Sequence, residues 1–387
     1  MKVIATLILC IPVTALLLLA QTSAQNAQSS RFIAVEGASL RARMEAAAKK
    51  HRDAGAQTNF WTAYSFDVRS GVAVDPGNSV QFAGSMNSYS GMTVFTGKVN
   101  GMTVETKNLG VFTLHEPGGG KRTRLEIYNL DNPREYGGYP VYWLGRGGNE
   151  ESLAYLRAVV EADEAHKLVE HATVAIALHD DPRVVGILKE FVRRSTSQEV
   201  RSAAVHWLGD IGGEDAFLAD LVRDEAEHKR VREAAAHALG RSENPASLNT
   251  LTSLYGTIAN RVVKKSLIHS IFINANEAPA IEFLIKLAKT EPDRETRQQA
   301  LFWLGRKAGE RTLGVLRDAV EGTDADTEVQ KHAVFVISRR PKDEAVPLLI
   351  KIARTHAKPQ VREQAVFWLG RTGDERALKF FEELLAK

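Results

Sequence analysis

The sequence predicts a mainly α protein: an α-solenoid of about eight helical repeats preceded by a small antiparallel β module. Three observations predict it. A short motif recurs along the C-terminal part of the chain. Its period is that of a two-helix unit. Between residues 57 and 140 the helical period gives way to alternation.

The motif is clearest at Val366 to Arg371, which reads Val-Phe-Trp-Leu-Gly-Arg. Val141 to Arg146 and Leu301 to Arg306 are close copies, Val205 to Gly209 is a third, and His237 to Arg241 is a worn one. Taking the Leu of the motif as anchor, and adding degenerate copies, gives Leu144, Leu178, Leu208, Leu239, Phe272, Leu304, Ile337 and Leu369. Gaps between successive anchors run from 30 to 34 residues, a period that signals stacked repeats. Nine residues after each anchor stands a further apolar residue: Leu153, Ile187, Phe217, Leu248, Ile281, Leu313, Val346 or Leu378.

Composition sets the class. The chain has 387 residues, 44% hydrophobic and 25% charged, which is enough to build a sizeable core. A net charge of +3 with both signs interspersed gives no case for nucleic acid or an anionic membrane as partner. Residues 1–24 read as a secretory signal: Lys2, then an apolar run from Val3 to Ala20, then the small residues Thr22 to Ala24. The rival reading is a retained membrane anchor. With cleavage, no membrane insertion is expected, and the location is the periplasm or the medium outside a bacterial envelope. Cys10 is the single cysteine, so the mature chain would have neither disulfides nor cysteine metal sites.

Residues 25–56 form an N-terminal helical segment, with Leu40, Met44 and Ala47 on one face and basic residues on another. Residues 57–140 form the β module. Strands are predicted at Phe60 to Val68, Thr93 to Val99, Met102 to Thr106, Gly110 to Leu114 and Arg124 to Tyr128. Asn100-Gly101 is a two-residue hairpin signal, and Gly118 to Gly120 is a turn. The array then covers residues 141–387. Its first unit has no helix-forming run before Trp143, so that helix is expected to be missing, with the β module capping the open end.

Each later unit carries two short helices. Val361, Ala365, Trp368 and Leu369 fall on one helical stripe, and Ala204, Ala235, Ala300 and Ala333 repeat the position of Ala365. Gly370 and Gly373 flank the turn, and Asp374 and Glu375 open the second helix. Ala377, Leu378, Phe381, Leu384 and Leu385 are read as its apolar face.

The pattern from Val361 to Leu378 resembles HEAT repeats, more narrowly the HEAT-like repeats of phycobilin lyases. A β module ahead of such an array resembles secreted bacterial HEAT-repeat proteins. The resemblance implies an armadillo-like α-solenoid and speaks weakly for function, because such repeats serve scaffolds, adaptors and a few enzymes. Deoxyhypusine hydroxylases are among those enzymes and hold iron through His-Glu pairs. Here only His115 is followed by Glu, and it lies in the β module. No metal or other cofactor is expected. No hydrolase elbow, zinc helix or phosphate loop is present, so no catalytic residue is assigned.

Two residue rows remain. Trp143, Trp207, Trp303 and Trp368 precede anchors and are read as core. Arg146, Arg241, Arg306, Arg339 and Arg371 follow anchors by two and line the turns, a candidate binding edge. The competing reading pairs that row with acids four positions on: Glu150, Glu310, Asp343 and Glu375. A further row stands seven before the anchors, at Arg201, Arg232, Lys265, Arg297 and Arg362. The predicted function is a non-enzymatic scaffold for an unidentified protein partner, bound across the second-helix face. The alternatives are an enzyme with a site between the β module and the first repeats, or a small-ligand site in the β module. Export predicts a mature N-terminus near Gln25; N-terminal sequencing of the envelope-fraction protein checks this, and recovery of intact Met1 in membranes contradicts it.

Overall fold

In the computed structural model residues 32–75, 83–89, 92–99, 102–103, 105–132, 134–162, 166–307, 309–322 and 326–386 are described. The expected signal segment and the turn residues Asn100 and Gly101 lie outside them. The chain divides into two compact units, one up to Trp207 and one from Leu208.

The first unit holds two sheets. Strands β1 (Ile33–Ala34), β2 (Phe60–Ser65), β7 (Leu109–His115), β8 (Arg122–Asn129) and β9 (Val141–Arg146) form one, in the order β1-β9-β2-β7-β8. Strands β3 (Val72–Val74), β4 (Ala83–Tyr89), β5 (Met92–Val99) and β6 (Met102–Thr103) form the other, with β5 between β3 and β4 and with β6 on β5. The module is not purely antiparallel, because β9 runs parallel to both β1 and β2.

Strand β9 corrects the repeat register at its start. Val141 to Arg146 carries the repeat motif, yet it is a strand, so Trp143 and Leu144 anchor a sheet and not a helix. The local reasons are visible. Pro140 lacks a donor, and its carbonyl accepts from the Trp61 amide as the strand begins. Gly145 has φ +74°, a left-handed conformation that no helix interior accommodates. The β module therefore reaches Arg146, six residues past the expected boundary at 140, and it recruits Ile33–Ala34 from the N-terminal segment.

On one side of this sheet Trp61, Phe112, Tyr128 and Val141 form an apolar cluster, with Phe32, Tyr136 and Trp143 packed against it. Phe32 stacks on Trp143 at 5.8 Å between ring centres, and Phe112 stacks on Tyr136 at 5.1 Å. Helix α1 (Leu40–Asp53) buries Leu40, Ala47 and His51. His51 bonds the Tyr142 hydroxyl at 3.3 Å and the Thr58 carbonyl at 2.8 Å, which ties α1 to the module.

Helix α2 (Asn149–Glu161) follows β9 directly, so a strand stands where the first helix of that unit is missing. Seven helical hairpins follow. They pair α3 (His166–Leu178) with α4 (Arg183–Arg194), α5 (Gln198–Ile211) with α6 (Asp215–Arg223), α7 (Lys229–Arg241) with α8 (Ser247–Thr257), and α9 (Arg261–Ile273) with α10 (Glu277–Thr290). The remaining pairs are α11 (Arg294–Gly305) with α12 (Glu310–Glu321), α13 (Thr327–Ser338) with α14 (Lys342–Thr355), and α15 (Pro359–Leu369) with α16 (Glu375–Leu385).

Leu178, Leu208, Leu239, Leu304, Ile337 and Leu369 are buried on the first helices. Phe272 is not the anchor of its unit. Ile271 is fully buried in that role, and Phe272 turns outward onto Trp303 at 4.8 Å. On the last helix Ala377 and Phe380 are buried, while Leu378 is 59% and Leu385 86% exposed, so the expected apolar face is rotated.

Most of the row seven before the anchors has one job, Lys265 being the exception because it pairs with Glu295 at 2.6 Å. Arg201 donates to the Val192 carbonyl at 2.7 Å, Arg232 to Val222 at 3.0 Å, Arg297 to Glu291 at 2.8 Å and Arg362 to His356 at 2.7 Å. Gln330 does the same to Val320 at 2.7 Å. Each closes carbonyls left open at the end of the preceding second helix, where a cation also meets the negative dipole end. On α3 His171 holds this position and bonds the Leu125 carbonyl of β8 at 2.5 Å.

Close approach of first helices sets the stacking. The repeated alanines Ala204, Ala235, Ala300, Ala333 and Ala365 are fully buried. The glycine after the anchor meets the next first helix: a Cβ on Gly240 would sit 2.8 Å from the Ser270 backbone, and one on Gly209 would sit 2.5 Å from the Ala238 Cβ. Gly314, inside α12, has nothing within 4 Å of such an atom. Gly314→Ala is expected to stabilise by about 0.5–1 kcal/mol through helix propensity alone. Gly240→Ala is expected to destabilise by about 1–3 kcal/mol, because backbone cannot move aside. Urea melts of the two variants check this, and the same sign for both contradicts it.

Candidate functional site

Two places gather polar chemistry. The first lies inside the first unit, between the five-stranded sheet and helices α2 and α3. The Ala175 carbonyl can only accept, so His179 Nδ1 carries the proton and donates to it at 2.7 Å. His179 Nε2 then accepts from the Ser152 hydroxyl at 2.8 Å, and Ser152 Oγ accepts from the Tyr64 hydroxyl at 2.9 Å. Thr62 bonds His115 Nε2 at 2.9 Å, and Thr113 bonds the Tyr155 hydroxyl at 2.9 Å.

Burial pushes the His179 pKa down to about 4, against partial opposition from the Ala175 carbonyl and Asp181. Burial and the Arg122 charge push His115 down to about 4 as well. Burial alone would lower His171, yet Glu126 at 3.3 Å and the Leu125 carbonyl outweigh it and hold the imidazole above its usual value. Burial likewise pushes the Tyr64 hydroxyl up.

Clustered groups with shifted pKa values are the mark expected of an enzyme cleft. Here Tyr64, Ser152, His171 and His179 are all closed to solvent and hydrogen-bonded to one another or to the backbone. No spacing in the sequence announces this cluster, since its members come from separate strands and helices. Its one signal is polar His171 and Thr173 within the largely apolar α3, with His179 directly after it.

The second place is the turn edge of the repeats. Of the five arginines in the row, Arg146 is on β9 and pairs with Asp67, and Arg241 pairs with Asp210 at 2.7 Å. The competing reading, pairing with the acid four positions on, is replaced by other partners. Glu150 goes to Arg183 at 3.3 Å, and Asp343 goes to Arg376 at 3.1 Å. Glu310 has no described side chain. No carboxylate of the described residues lies within ion-pair distance of Arg306, Arg339 or Arg371.

Aromatic rings line the same edge. His237 stacks on His269 at 5.3 Å, and His269 on Trp303 at 4.5 Å, across three successive units. Arg306 lies 5.9 Å from the Trp303 ring, and Arg371 lies 5.7 Å from the Phe367 ring. Of the tryptophans read as core, Trp207 is fully buried. Trp143, Trp303 and Trp368 are half-buried, the last two because their rings belong to this edge. A groove of about 640 Å³ opens between α11 and α13, with Phe302, Phe335 and Val336 as its floor and Arg306 and Arg339 on its rim. Arg340 holds one wall in place by donating to the Gly305 carbonyl at 3.3 Å and to Glu344 at 2.7 Å.

Several charges on the second helices pair between units. Arg311 pairs with Glu282, Lys289 with Asp318 at 3.3 Å, Lys351 with Glu321 at 2.7 Å, and Arg354 with Glu383. The expected binding face on the second helices is thus a ladder of inter-unit ion pairs. Among the described residues no group of three or more His, Cys, Asp or Glu side chains is placed to hold a metal ion. Among them, too, no helix is long and apolar enough to cross a membrane.

A family profile described as HEAT repeats matches residues 187–271 and 321–387, in agreement with the α-solenoid of two-helix units. No curated protein matches the sequence. Solved structures similar in fold include human deoxyhypusine hydroxylase in complex with glycerol (16% identity, 61% of this chain and 90% of that one, TM-score 0.30). Another is YibA of Escherichia coli (16% identity, 62% and 89%, TM-score 0.37). A third is the CpcE–CpcF complex of phycocyanin lyase from Nostoc sp. PCC7120 (14% identity, 65% and 96%, TM-score 0.31). Likenesses of this size carry no activity over to the present chain.

The His179 pKa predicts a pH dependence. Between the usual imidazole value of 6.5 and about 4, the unfolded chain takes up a proton at this position and the folded chain does not. Stability is therefore complete above that window and falls as the pH drops through it, by about 3 kcal/mol for this group. Urea melts at pH 7 and 4.5 should show a smaller loss for His179→Gln than for the parent chain; equal losses contradict the assignment.

Proposed function

We propose that the chain is an exported, non-enzymatic scaffold whose repeats hold a protein partner in the bacterial envelope. The observation that carries this reading is the contrast between its two polar clusters. In the first unit the histidines with lowered pKa values, His115 and His179, are enclosed and hydrogen-bonded within the fold, which suits a structural role. The polar groups without charge partners stand on an open edge repeated from unit to unit, which suits docking of an extended surface. Export rests on the N-terminal apolar run.

The test is affinity capture of the full tagged chain from envelope fractions after mild crosslinking, with masses read by light scattering. A protein partner in fixed stoichiometry is the expected result. Recovery of the chain alone from every fraction overturns the scaffold reading.

A further inference from the structure

The turn edge also indicates what sort of partner segment it fits, and this rests on the scaffold reading above. We propose that the groove between α11 and α13, continued along the edge to Arg371, takes an extended acidic segment of a partner protein. Carboxylates of that segment meet Arg306, Arg339 and Arg371, and apolar side chains between them enter the groove.

Charge complementarity carries the argument. Neighbouring units have their cations matched across the stack, as in Lys265 with Glu295 at 2.6 Å, Arg294 with Asp326 at 2.6 Å, and Lys351 with Glu321 at 2.7 Å. The three edge arginines are exposed, have no such match among the described residues, and occupy the same place in three successive units. Their charge is fixed, and a guanidinium accepts a carboxylate through two parallel hydrogen bonds.

Geometry sets the spacing. Packed helices lie about 8–10 Å apart, so successive arginines are separated by about that step. A polyproline-II segment advances about 3.1 Å per residue with three residues per turn, so acids three residues apart share one face and keep register with the row. The floor of Phe302, Phe335 and Val336 offers about 640 Å³, room for apolar side chains between the acids. Phe367, 53% exposed, continues the apolar line beside Arg371.

The same numbers disfavour nucleic acid. Duplex DNA carries one charge per about 1.7 Å, whereas this edge offers one cation per about 8–10 Å. A compact small ligand would meet the two arginines on the groove but not the third.

The experiment uses the full chain and a fluorescent heptapeptide, Glu-Val-Thr-Glu-Leu-Thr-Glu, read by polarisation at two salt concentrations. Its counterpart with Lys for Glu and a single-stranded oligothymidine serve as competitors. The acidic peptide is expected to bind, to weaken as salt rises, and to be displaced by neither competitor. Arg306→Glu with Arg339→Glu is expected to weaken it by about tenfold or more. Lys351→Glu, on the second-helix face, is expected to change it by less than about twofold. Circular dichroism confirms that both variants fold, as exposed positions allow. No binding, equal binding of the Lys peptide, displacement by the oligonucleotide, or indifference to the double substitution each overturns the proposal. If a captured partner stays bound to the double variant, the scaffold reading stands and the groove assignment falls. If no partner is ever captured, the scaffold reading itself fails.

Discussion

The contact on which each stack of hairpins depends is the close approach of one first helix to the next. Fully buried alanines four before the anchor, and glycine just after it, leave no room for larger side chains. Packing at this separation is why the deleted methylene groups matter more than the retained ones. It also has a consequence for the larger residues of the motif. Trp207 is fully buried, but from His237 onward the rings one and two positions before the anchor are not, and they collect along the margin of the interface. The stacks from His237 to His269 to Trp303, and from Phe335 to Trp368, follow from that placement. The groove beside Arg306 is the space left between two such margins.

Electrostatics divides the repeats into faces with different work. Arg201, Arg232, Arg297, Gln330 and Arg362, seven before their anchors, close helix ends through backbone carbonyls of the preceding unit. Second helices hold to each other through ion pairs that are exposed and individually weak, each about 0–1 kcal/mol. The turns present Arg306, Arg339 and Arg371, which have no carboxylate partner among the described residues. A charge already matched offers a partner little, because binding must first break the match.

The β module meets the repeats through polar atoms sealed from water. In a low-dielectric interior such a chain of hydrogen bonds is strong when every member is satisfied and costly when one is lost. His179 at the end of α3 therefore acts as a connector between β2, α2 and its own helix. An isolated bridge from Val68 to the same residue adds backbone to the junction.

The sequence by itself determined the period, the paired helices, the buried alanines and most anchors. These follow from apolar spacing within a helical turn or two, which any local reading recovers. It also marked the row of turn arginines. Only the tertiary structure decided which of those arginines are engaged, because the competing acids lie on other elements, as Asp67 does for Arg146 and Asp210 for Arg241. Only it turned Val141 to Arg146 into a strand, since β1 and β2 supply the parallel pairing that a lone motif copy cannot announce. The choice of Ile271 over Phe272 has the same origin: both suit a buried stripe, and the Trp303 ring of the next unit draws Phe272 to the edge. Local periodicity is written in neighbours three or four residues away. The partners that fix a strand, a ring or a free charge lie about a whole repeat away or further, and they come into reach only when the chain is folded.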